Sequence, residues 1–438
     1  MMYRFRPICN LLDGYHELEN QEIFFAAPDQ LNDPMEGFRD IFWQGDYIVW
    51  ENLLKNYVDC VAHIYILTLA GKKDLTIKDI PLHAYPNLKA TPEQLTLGHR
   101  IRNKFFGNSF IQTLPYSLEK RKKPVRRGEL LSYLLYIHHY AIDAAEGQVL
   151  LPVFNFNLAG MNEMLAKTGD LAELVNRLEE ENSDDPGKIE SFFLMTNIIK
   201  SSYELSGNAN FLLNDFPELF VNKLETLLYP DWYSASFLSE CTNSAVWGYY
   251  GDGHKGVCLI YEGKEKGKLQ LSGMYPQTFR KMRYHNKHES IDYFRSIGRP
   301  PQAYLESNWY TDSKGNISIC AEHLYNDFEK WRKAHWKSFY NNLTIKLKEW
   351  RYEKEYRIII EGLVGDFSKP ESRTLKYQFE ELKGLIFGIK TTPQDKQKII
   401  HIIHEKCALT GRADFEFYQA FYSKKTGLIE KLKLNIGK

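Results

Sequence analysis

The sequence predicts an α+β protein with a split, mixed and antiparallel sheet that is assembled from both ends of the chain. Strand-like segments occur at the N-terminus, helical periodicity dominates the middle third, and strand-like segments return after residue 229. At 438 residues the chain exceeds one ordinary core. We therefore divide it into residues 1–44 as the first part of an α+β core, residues 45–229 as a large helical insertion, and residues 230–438 as the second part of the core.

In the first part of the core, the sequence predicts two strands, with a helix between them and a turn after them. The strands are Met2 to Phe5 and the stretch EIFFAA, and the helix lies near Asn10 to Leu18. In the following stretch, LNDPMEG, Asn32 and Asp33 can hydrogen-bond their own backbone and the proline fixes its own φ. This chemistry predicts the turn.

In the insertion and the second part of the core, the apolar residues again show helical and strand periodicity. Helices are predicted in LLSYLLYIHHYAIDAA, DLAELVNRLEEEN, IESFFLMTNIIKSSYEL and DFPELFVNKLETLLYP, where Asp215 is the expected N-cap of the last. Strands are predicted in ASFLSE, KGVCLIYE, RKMRYH, YRIIIEG, LKGLIFGI and DFEFYQAFYS. Two further helices are predicted from about Cys320 to Tyr340 and in PQDKQKIIHIIHEKC.

Composition limits the classes of partner and compartment. Lys plus Arg and Asp plus Glu balance at 56 each, so overall charge does not indicate nucleic acid or an anionic membrane as a partner. The six cysteines include no CxxC pair, and the N-terminus lacks the apolar core of a signal peptide, so we expect a reduced, cytoplasmic protein. No apolar run approaches the roughly 20 residues that span a bilayer, and no membrane contact is expected.

The stretch SAVWGYYGDGHKGVCLIYE combines aromatic residues with a turn rich in glycine. Trp247 and Tyr250 precede the turn, His254 lies within it, and a strand follows. Aromatic faces can stack on a flat ring such as a base or nicotinamide, while glycines permit tight turning and close backbone approach. The alternative interpretation is a hairpin with an aromatic core.

The stretch LKEWRYEKEYRIII places charge directly before an apolar strand. Strand alternation puts Glu353 and Glu355 on one face with Arg351 and Arg357. One interpretation is an exposed ion-pair ladder worth about 0–1 kcal/mol per pair. The other is a glutamate that its neighbours orient toward a substrate hydroxyl or a developing positive charge.

The remaining motifs are weaker indications of function. The basic run from Lys120 to Arg127 can contact phosphates or lie on a solvated loop. His285 and His288 lack a second ligand pair nearby, so no metal is expected. The chain contains no P-loop, G-x-S-x-G or H-E-x-x-H motif.

In order, the blocks YRFRP, EIFFAAPDQLNDPMEG, SAVWGYYGDGHKGVCLIYE, KLKEWRYEKEYRIII and LKGLIFGIK resemble the bacterial domain-of-unknown-function family 2971. A weaker similarity is to the ADP-ribosyltransferase-like fold, whose members split NAD at its nicotinamide bond. That resemblance implies a catalytic role for Glu355 with Glu353. It implies NAD binding by the following residues: Arg4, Arg6, Asn32, Asp33, Trp247, Tyr250, His254 and Arg357.

The resulting hypothesis is an ADP-ribosyltransferase-like or NAD-hydrolysing bacterial effector, such as a toxin or a phage-defence protein. Its partners would be NAD or a related nucleotide and a protein or nucleic-acid acceptor. One alternative is a non-enzymatic module that senses a nucleotide or a partner in a defence system. Another is a nucleic-acid-binding effector that uses the basic run from Lys120 to Arg127.

Overall fold

We describe a computed structural model of the chain, which covers residues 1–33, 35–82, 91–149, 207–362 and 367–436. The predicted helices DLAELVNRLEEEN and IESFFLMTNIIKSSYEL lie outside these residues. By its internal contacts the chain divides into two compact units. Unit 1 comprises Met1–Phe38, Asp231–His288 and Tyr340–Lys438, and unit 2 comprises Arg39–Pro230 and Glu289–Phe339. The division predicted from sequence differs from these units chiefly at residues 289–339, which it assigns to the second part of the core.

The strands of the described residues are short, and most lie in unit 1. They are β1 (Met2–Arg6), β2 (Glu22–Phe24), β3 (Asp40–Trp43), β4 (Val125–Arg126), β5 (Trp232–Leu238), β6 (Val257–Tyr261), β7 (Lys268–Leu269), β8 (Gln277–Thr278), β9 (Arg280–Lys281), β10 (Arg283–Tyr284), β11 (Ser290–Asp292), β12 (Ile345–Lys346), β13 (Glu355–Glu361), β14 (Thr374–Lys376), β15 (Leu382–Phe387), β16 (Glu416–Tyr422) and β17 (Ile429–Lys433).

The longer helices lie in unit 2, apart from one near the C-terminus. The α-helices are α1 (Ile8–Leu11), α2 (Glu17–Asn20), α3 (Tyr47–Leu69), α4 (Pro92–Phe106), α5 (Ser109–Glu119), α6 (Arg127–Val149), α7 (Gly207–Asn210), α8 (Phe216–Glu225), α9 (Ser244–Tyr250), α10 (Tyr293–Ser296), α11 (Gln302–Leu305), α12 (Glu322–Tyr325), α13 (Phe328–Leu343) and α14 (Pro393–Thr410). Two π-helical turns are Phe211–Asp215 and Glu306–Tyr310. The 3₁₀ turns are Pro28–Gln30, Ile77–Asp79, Ile319–Ala321, Lys348–Glu353, Pro370–Arg373 and Phe379–Glu381.

Unit 1 is built on an eight-stranded mixed sheet with the strand order β17-β16-β15-β6-β1-β5-β13-β9. Strand β15 runs parallel to β16, and the other pairs are antiparallel. The N-terminal strand β1 lies between β5 and β6, which come from the second half of the chain. The predicted α+β class, with a mixed sheet assembled from both ends of the chain, is confirmed.

Both faces of this sheet are covered, because alternate residues of each central strand enter different hydrophobic clusters. In β6, Val257 and Leu259 join the cluster that contains Ile399 of α14, whereas Cys258 packs with Trp247 of α9. A strand that is buried on both faces typically has a continuous run of apolar residues in its sequence. This explains the uninterrupted VCLIY of β6.

Several helices in the structure differ in detail from those that the sequence predicts. The helix expected over Asn10 to Leu18 is two short helices, α1 and α2, separated by bends. The helix expected from Cys320 to Tyr340 is divided into a 3₁₀ turn, α12 and α13. Asp215 precedes α8 but makes no capping hydrogen bond to its backbone, because a π-helical turn already leads into the helix.

Unit 2 combines helices with a small sheet of order β11-β3-β4. Helices α3 and α6 pack together, and the Tyr57 hydroxyl of α3 lies 2.7 Å from Nδ1 of His138 in α6. Asp46 caps α3 by accepting a hydrogen bond from the backbone N–H of Val49. None of the helices in the described part of the chain combines the length and apolar character that a membrane-spanning segment needs.

Candidate functional site

A cleft of about 260 Å³ opens in unit 1 at the C-terminal end of β1. The residues that line it come from β1, the end of β2 and the segment after it, β5, the end of α9, the end of the 3₁₀ turn Lys348–Glu353 and the start of β13. They are Arg4, Phe5, Arg6, Phe24, Ala26, Leu31, Asn32, Ser234, Ala235, Ser236, Leu238, Tyr250, Glu353 and Glu355. Six of the ten site residues predicted from sequence therefore lie in one cleft: Arg4, Arg6, Asn32, Tyr250, Glu353 and Glu355.

Arg4 places a buried cation in this cleft. Its guanidinium donates to the backbone carbonyl oxygens of Ser236 and Phe24, both over long distances of 3.4 Å, and lies 5.5 Å from the ring centroid of Phe237. Burial and the neighbouring Arg6 charge lower the pKa of Arg4 to about 10, so the side chain stays protonated at neutral pH. No carboxylate among the described residues forms an ion pair with it, which leaves its charge available to an anion.

Arg6, two residues further along β1, is neutralised by a protein carboxylate. Its Nε donates to Oε2 of Glu17 at 2.7 Å, and its second nitrogen contacts the other carboxylate oxygen. Glu17 is buried in α2, so this bidentate pair fixes α2 beside β1. The two arginines of β1 therefore differ in the charge that they offer to a ligand.

Across the cleft lies a buried network of three carboxylates and two cations. The Lys346 ammonium contacts Glu36, Glu353 and Glu355 at 3.0, 2.7 and 3.1 Å. The Arg357 guanidinium donates to Oε1 of Glu355 at 2.7 Å and to Glu36 at 2.6 Å. All five side chains are at most 3% exposed. Charges buried in this way need mutual pairing, since each loses its hydration.

The two glutamates that line the cleft have opposite pKa shifts. Burial opposes ionisation of Glu355, but the charges of Arg357 and Lys346 outweigh it and lower its pKa to about 2. For Glu353 burial dominates, and the attraction of Lys346 only partly offsets it, so its pKa is raised. Carboxyl groups whose environments separate their pKa values are typical of acid–base sites.

Tyr250 connects the network to the cleft. Its hydroxyl donates to Oε1 of Glu353 at 2.6 Å and accepts a long hydrogen bond of 3.5 Å from the Asn32 amide. Burial and the Glu353 charge raise the pKa of Tyr250, so the phenol remains a hydrogen-bond donor. Helix α9 holds this ring in place because Asn243 caps the helix and Trp247 anchors it in the core.

The backbone around the two glutamates is not the continuous strand that the alternation pattern predicts. Residues Lys348–Glu353 form a 3₁₀ turn, Lys354 takes a left-handed conformation with φ +49°, and β13 begins only at Glu355. This change of direction lets both carboxylates reach Lys346. Arg351 is exposed, so the predicted face of two glutamates and two arginines is wrong. The charges form a buried network and not a solvated ladder.

The other predicted site residues lie outside the cleft lining. Trp247 is fully buried, its indole N–H donates to the Cys241 carbonyl, and its ring packs edge-on against Phe5. His254 stacks beside Trp247 in the turn after α9. Asp33 accepts a hydrogen bond from the backbone N–H of Met35. The fourth of these residues, Arg357, does not line the cleft but contacts Glu355, which does.

Sequence reasoning missed Glu36 and Lys346. Glu36 lies in the turn LNDPMEG and Lys346 in the two-residue strand β12, and sequence reasoning gave neither residue a role in the site. Their role depends on the approach of segments more than 300 residues apart, as in the Arg357 to Glu36 contact. No local pattern carries that information.

The basic run from Lys120 to Arg127 is largely engaged within unit 2. Arg121 pairs with Glu129 at 2.5 Å and is buried. Arg126 and Arg127 pair with Asp40 and Glu225 at 2.7 and 3.1 Å. The run is therefore not a uniformly free phosphate-binding loop.

Comparison with models of protein families finds a match over part of unit 1 and part of unit 2. Residues 246–358 match the model of a family described as "Protein of unknown function (DUF2971)". The matched segment extends from the middle of α9 into β13 and so includes Tyr250, Lys346 and both glutamates of the cleft. No curated protein and no solved structure matches the chain.

Proposed function

We propose that unit 1 binds NAD or a related nucleotide in the cleft and cleaves its nicotinamide glycosidic bond, with transfer of ADP-ribose to an acceptor or to water. The observation that carries the proposal is the meeting of Arg4, Tyr250 and Glu355 in one cleft, although they come from three distant parts of the chain. Arg4, which has no carboxylate partner among the described residues, can bind a phosphate, and two carboxyl groups with opposite pKa shifts can act on a riboside.

The size of the cleft limits what it holds. About 260 Å³ lies just below the roughly 300–1,000 Å³ typical of sites for drug-sized ligands. The cleft therefore suits one nucleoside portion of a dinucleotide, with its phosphate near Arg4 and its ribose near Glu353 and Glu355. The remaining portion would extend beyond the lining residues.

The proposed chemistry uses the two glutamates differently. As the bond breaks, its electron pair leaves with nicotinamide and positive charge develops on the ribose, as in glycoside hydrolysis. Glu355 stays ionised and stabilises that charge. The attacking hydroxyl or water forms the new bond and gives its proton to Glu353, whose raised pKa makes it the stronger base.

The test is release of free nicotinamide from NAD by the full chain, with and without cell lysate as a source of acceptor. Glu355→Gln and Glu353→Gln are each expected to lower turnover about 100- to 1,000-fold, the usual effect of removing one preorganised electrostatic contact. Glu349→Gln is the matched control, because Glu349 is exposed on the adjoining 3₁₀ turn. Near-ultraviolet circular dichroism checks that each variant is folded.

Arg4→Gln provides a test that leaves the ion-pair network intact. We expect weaker NAD binding by at least tenfold in a calorimetric titration, since a charge-assisted contact to a phosphate is lost. A wild-type protein that leaves NAD intact under all these conditions is not a general NAD-cleaving enzyme.

A non-enzymatic nucleotide sensor is the second candidate, and one observation favours it. Both Glu355 oxygens already accept hydrogen bonds, from Arg357 and Lys346, so a substrate must compete with two protein cations. This candidate predicts that NAD or another nucleotide binds, that Arg4→Gln weakens the binding, and that no nicotinamide is released.

A further inference from the structure

A second cleft of about 610 Å³ lies in unit 1, away from the charged network. It is formed by the last residues of β13, the segment that contains β8 and β9, and the last turn of α13. Its lining residues are Gly273, Met274, Tyr275, Pro276, Gln277, Thr278, Arg280, Tyr340, Ile359, Ile360 and Glu361. None of them lines the first cleft. The volume lies within the roughly 300–1,000 Å³ typical of small-molecule sites.

The floor of this cleft is closed and apolar. Strands β8 and β9 lie against β13, and Ile359 and Ile360 are only 5% and 1% exposed. Met274 and Pro276 are half-buried, and the Tyr275 ring at the rim is 90% exposed. Thioether and aromatic side chains pack favourably against flat rings. The cleft therefore suits the apolar body of a small molecule, and an aromatic one in particular.

Arg280 brings a positive charge into the cleft. Its guanidinium lies 3.5 Å from the ring centroid of Tyr340, so the ring holds it by a cation–π contact. Among the described residues it forms no ion pair and no side-chain hydrogen bond. Burial lowers the pKa of Arg280, and the charge of Glu361 only partly offsets this effect. A guanidinium that is fixed and partly desolvated gains from contact with an anionic group of a ligand.

Glu361 brings a negative charge into the same cleft. Its Oε1 accepts a hydrogen bond from the Tyr340 hydroxyl, whereas its Oε2 makes no hydrogen bond to the described residues. Burial raises the pKa of Glu361, and the charge of Arg280 only partly offsets this effect. The carboxylate therefore gains from contact with a cationic group of a ligand.

The arrangement of these two charges around Tyr340 limits the kind of ligand. The ring face of Tyr340 contacts Arg280 and its hydroxyl contacts Glu361, so one side chain holds both charged groups. The two charges act on each other, but they form no ion pair. A simple anion at Arg280 would be repelled by Glu361. A ligand that carries a carboxylate and an ammonium on one carbon atom compensates both.

We propose that this cleft binds a free α-amino acid with an aromatic side chain. The ligand carboxylate accepts hydrogen bonds from Arg280, and the ligand ammonium donates to Glu361. The aromatic side chain packs against Met274, Pro276 and Ile359. The proposal goes beyond the function proposed for the first cleft and does not depend on it, because the two clefts share no residue.

The test is a ligand-observed NMR titration of the full chain with three compounds that share one ring system. They are L-tryptophan, indole-3-propionate, which lacks the ammonium group, and tryptamine, which lacks the carboxylate. We expect L-tryptophan to bind at least tenfold more tightly than either analogue, because each analogue loses one charge-assisted contact.

Two variants assign each charge of the ligand to its residue. Arg280→Gln should abolish the preference for L-tryptophan over tryptamine, and Glu361→Gln should abolish the preference for L-tryptophan over indole-3-propionate. Lys281→Gln is the matched control, because it removes one charge from the same strand at an exposed residue that does not line the cleft. It should leave both preferences unchanged. Near-ultraviolet circular dichroism checks that each variant is folded.

Equal affinity for the three compounds, preferences that both variants retain, or no binding of L-tryptophan would each overturn the proposal. So would inorganic phosphate that binds at Arg280 while L-tryptophan does not bind, since that result indicates a small-anion site. These outcomes are distinct from failure of the function proposed for the first cleft, which is measured by release of nicotinamide.

Discussion

Glu353 and Glu355 are two positions apart, and their environments move their pKa values in opposite directions. The difference arises because Glu355 contacts two cations, Arg357 and Lys346, whereas among the described residues Glu353 contacts one cation, Lys346, and the Tyr250 hydroxyl. Three carboxylates share two cations in this network, so one carboxylate is always poorly compensated. That carboxylate is Glu353, the one nearest to Tyr250.

Glu355→Gln is expected to destabilise the protein most at neutral pH. The folded-state pKa of about 2 lies below the ordinary 4.5, so ionised Glu355 contributes stability above pH 4.5 and loses it as pH falls toward 2. Replacing Glu355 removes its buried contacts with Arg357 and Lys346, at a cost of about 3–5 kcal/mol at pH 7. Urea unfolding of both proteins at pH 7 and pH 3.5 measures the free energy of unfolding. The difference between Glu355→Gln and the wild type should be smaller at pH 3.5. A difference in the free energy of unfolding that is the same at both pH values contradicts the lowered pKa of Glu355.

Tyr250→Phe is expected to change the pH dependence of any NAD cleavage. Because Glu353 must be ionised to accept a proton, kcat/KM should rise with pH through an apparent pKa above 4.5. The Tyr250 hydroxyl stabilises the ionised form, so its removal should move this rise upward by about one pH unit. Tyr249→Phe is the control, because the neighbouring Tyr249 ring is exposed, and it should leave the pH dependence of kcat/KM unchanged.

At the scale of elements, the segment between β2 and β3 holds Asn32 at the cleft and Glu36 in the network. Gly37 ends this segment with φ +76°, and a Cβ there would lie 2.5 Å from the Trp232 ring. The segment therefore follows a path that only glycine allows at this position. Its conformation and the packing of β5 are linked through this contact.

Gly37→Ala should destabilise the protein by about 2–4 kcal/mol, from left-handed backbone strain together with the clash against Trp232. Gly71→Ala is the matched control, since Gly71 has φ +75° and open space around its Cβ position, and should cost only about 1–2 kcal/mol. Equilibrium unfolding in urea compares the two. Equal losses would show that the Trp232 contact carries no energy.

The elements with strong periodicity are those that sequence reasoning predicted well. Strands β1, β5, β6 and β15 and helix α14 occur where apolar runs or amphipathic spacing place them. The 3₁₀ turn before β13 was not predicted, because its charged residues alternate as a strand would and the left-handed Lys354 that interrupts it carries no sequence signal. At the site, sequence reasoning identified Arg4, Arg6, Asn32, Tyr250, Glu353 and Glu355, but it missed Glu36 and Lys346.

At the scale of the whole molecule, the reduced state that the cysteine spacing predicts can be tested by the response of the Tm to a reductant. All six are free thiols in the structure, and Cys60, Cys241, Cys258 and Cys320 are buried. We expect a reductant such as dithiothreitol to leave the Tm unchanged in a thermal scan, since no disulfide constrains the unfolded chain. A fall of several degrees on reduction would reveal a disulfide that forms in solution.

The position of β1 in the sheet has a consequence for biosynthesis. This strand leaves the ribosome before either of its partners, because its register partners include Leu238 in β5 and Leu259 in β6. At roughly 5–20 residues per second, β1 waits roughly 10 to 50 s before either partner has been made. During that interval its Arg4 and Arg6 keep the nascent strand charged and solvated. The same arginines that shape the cleft in the finished protein thus protect an unpaired strand while the chain is still growing.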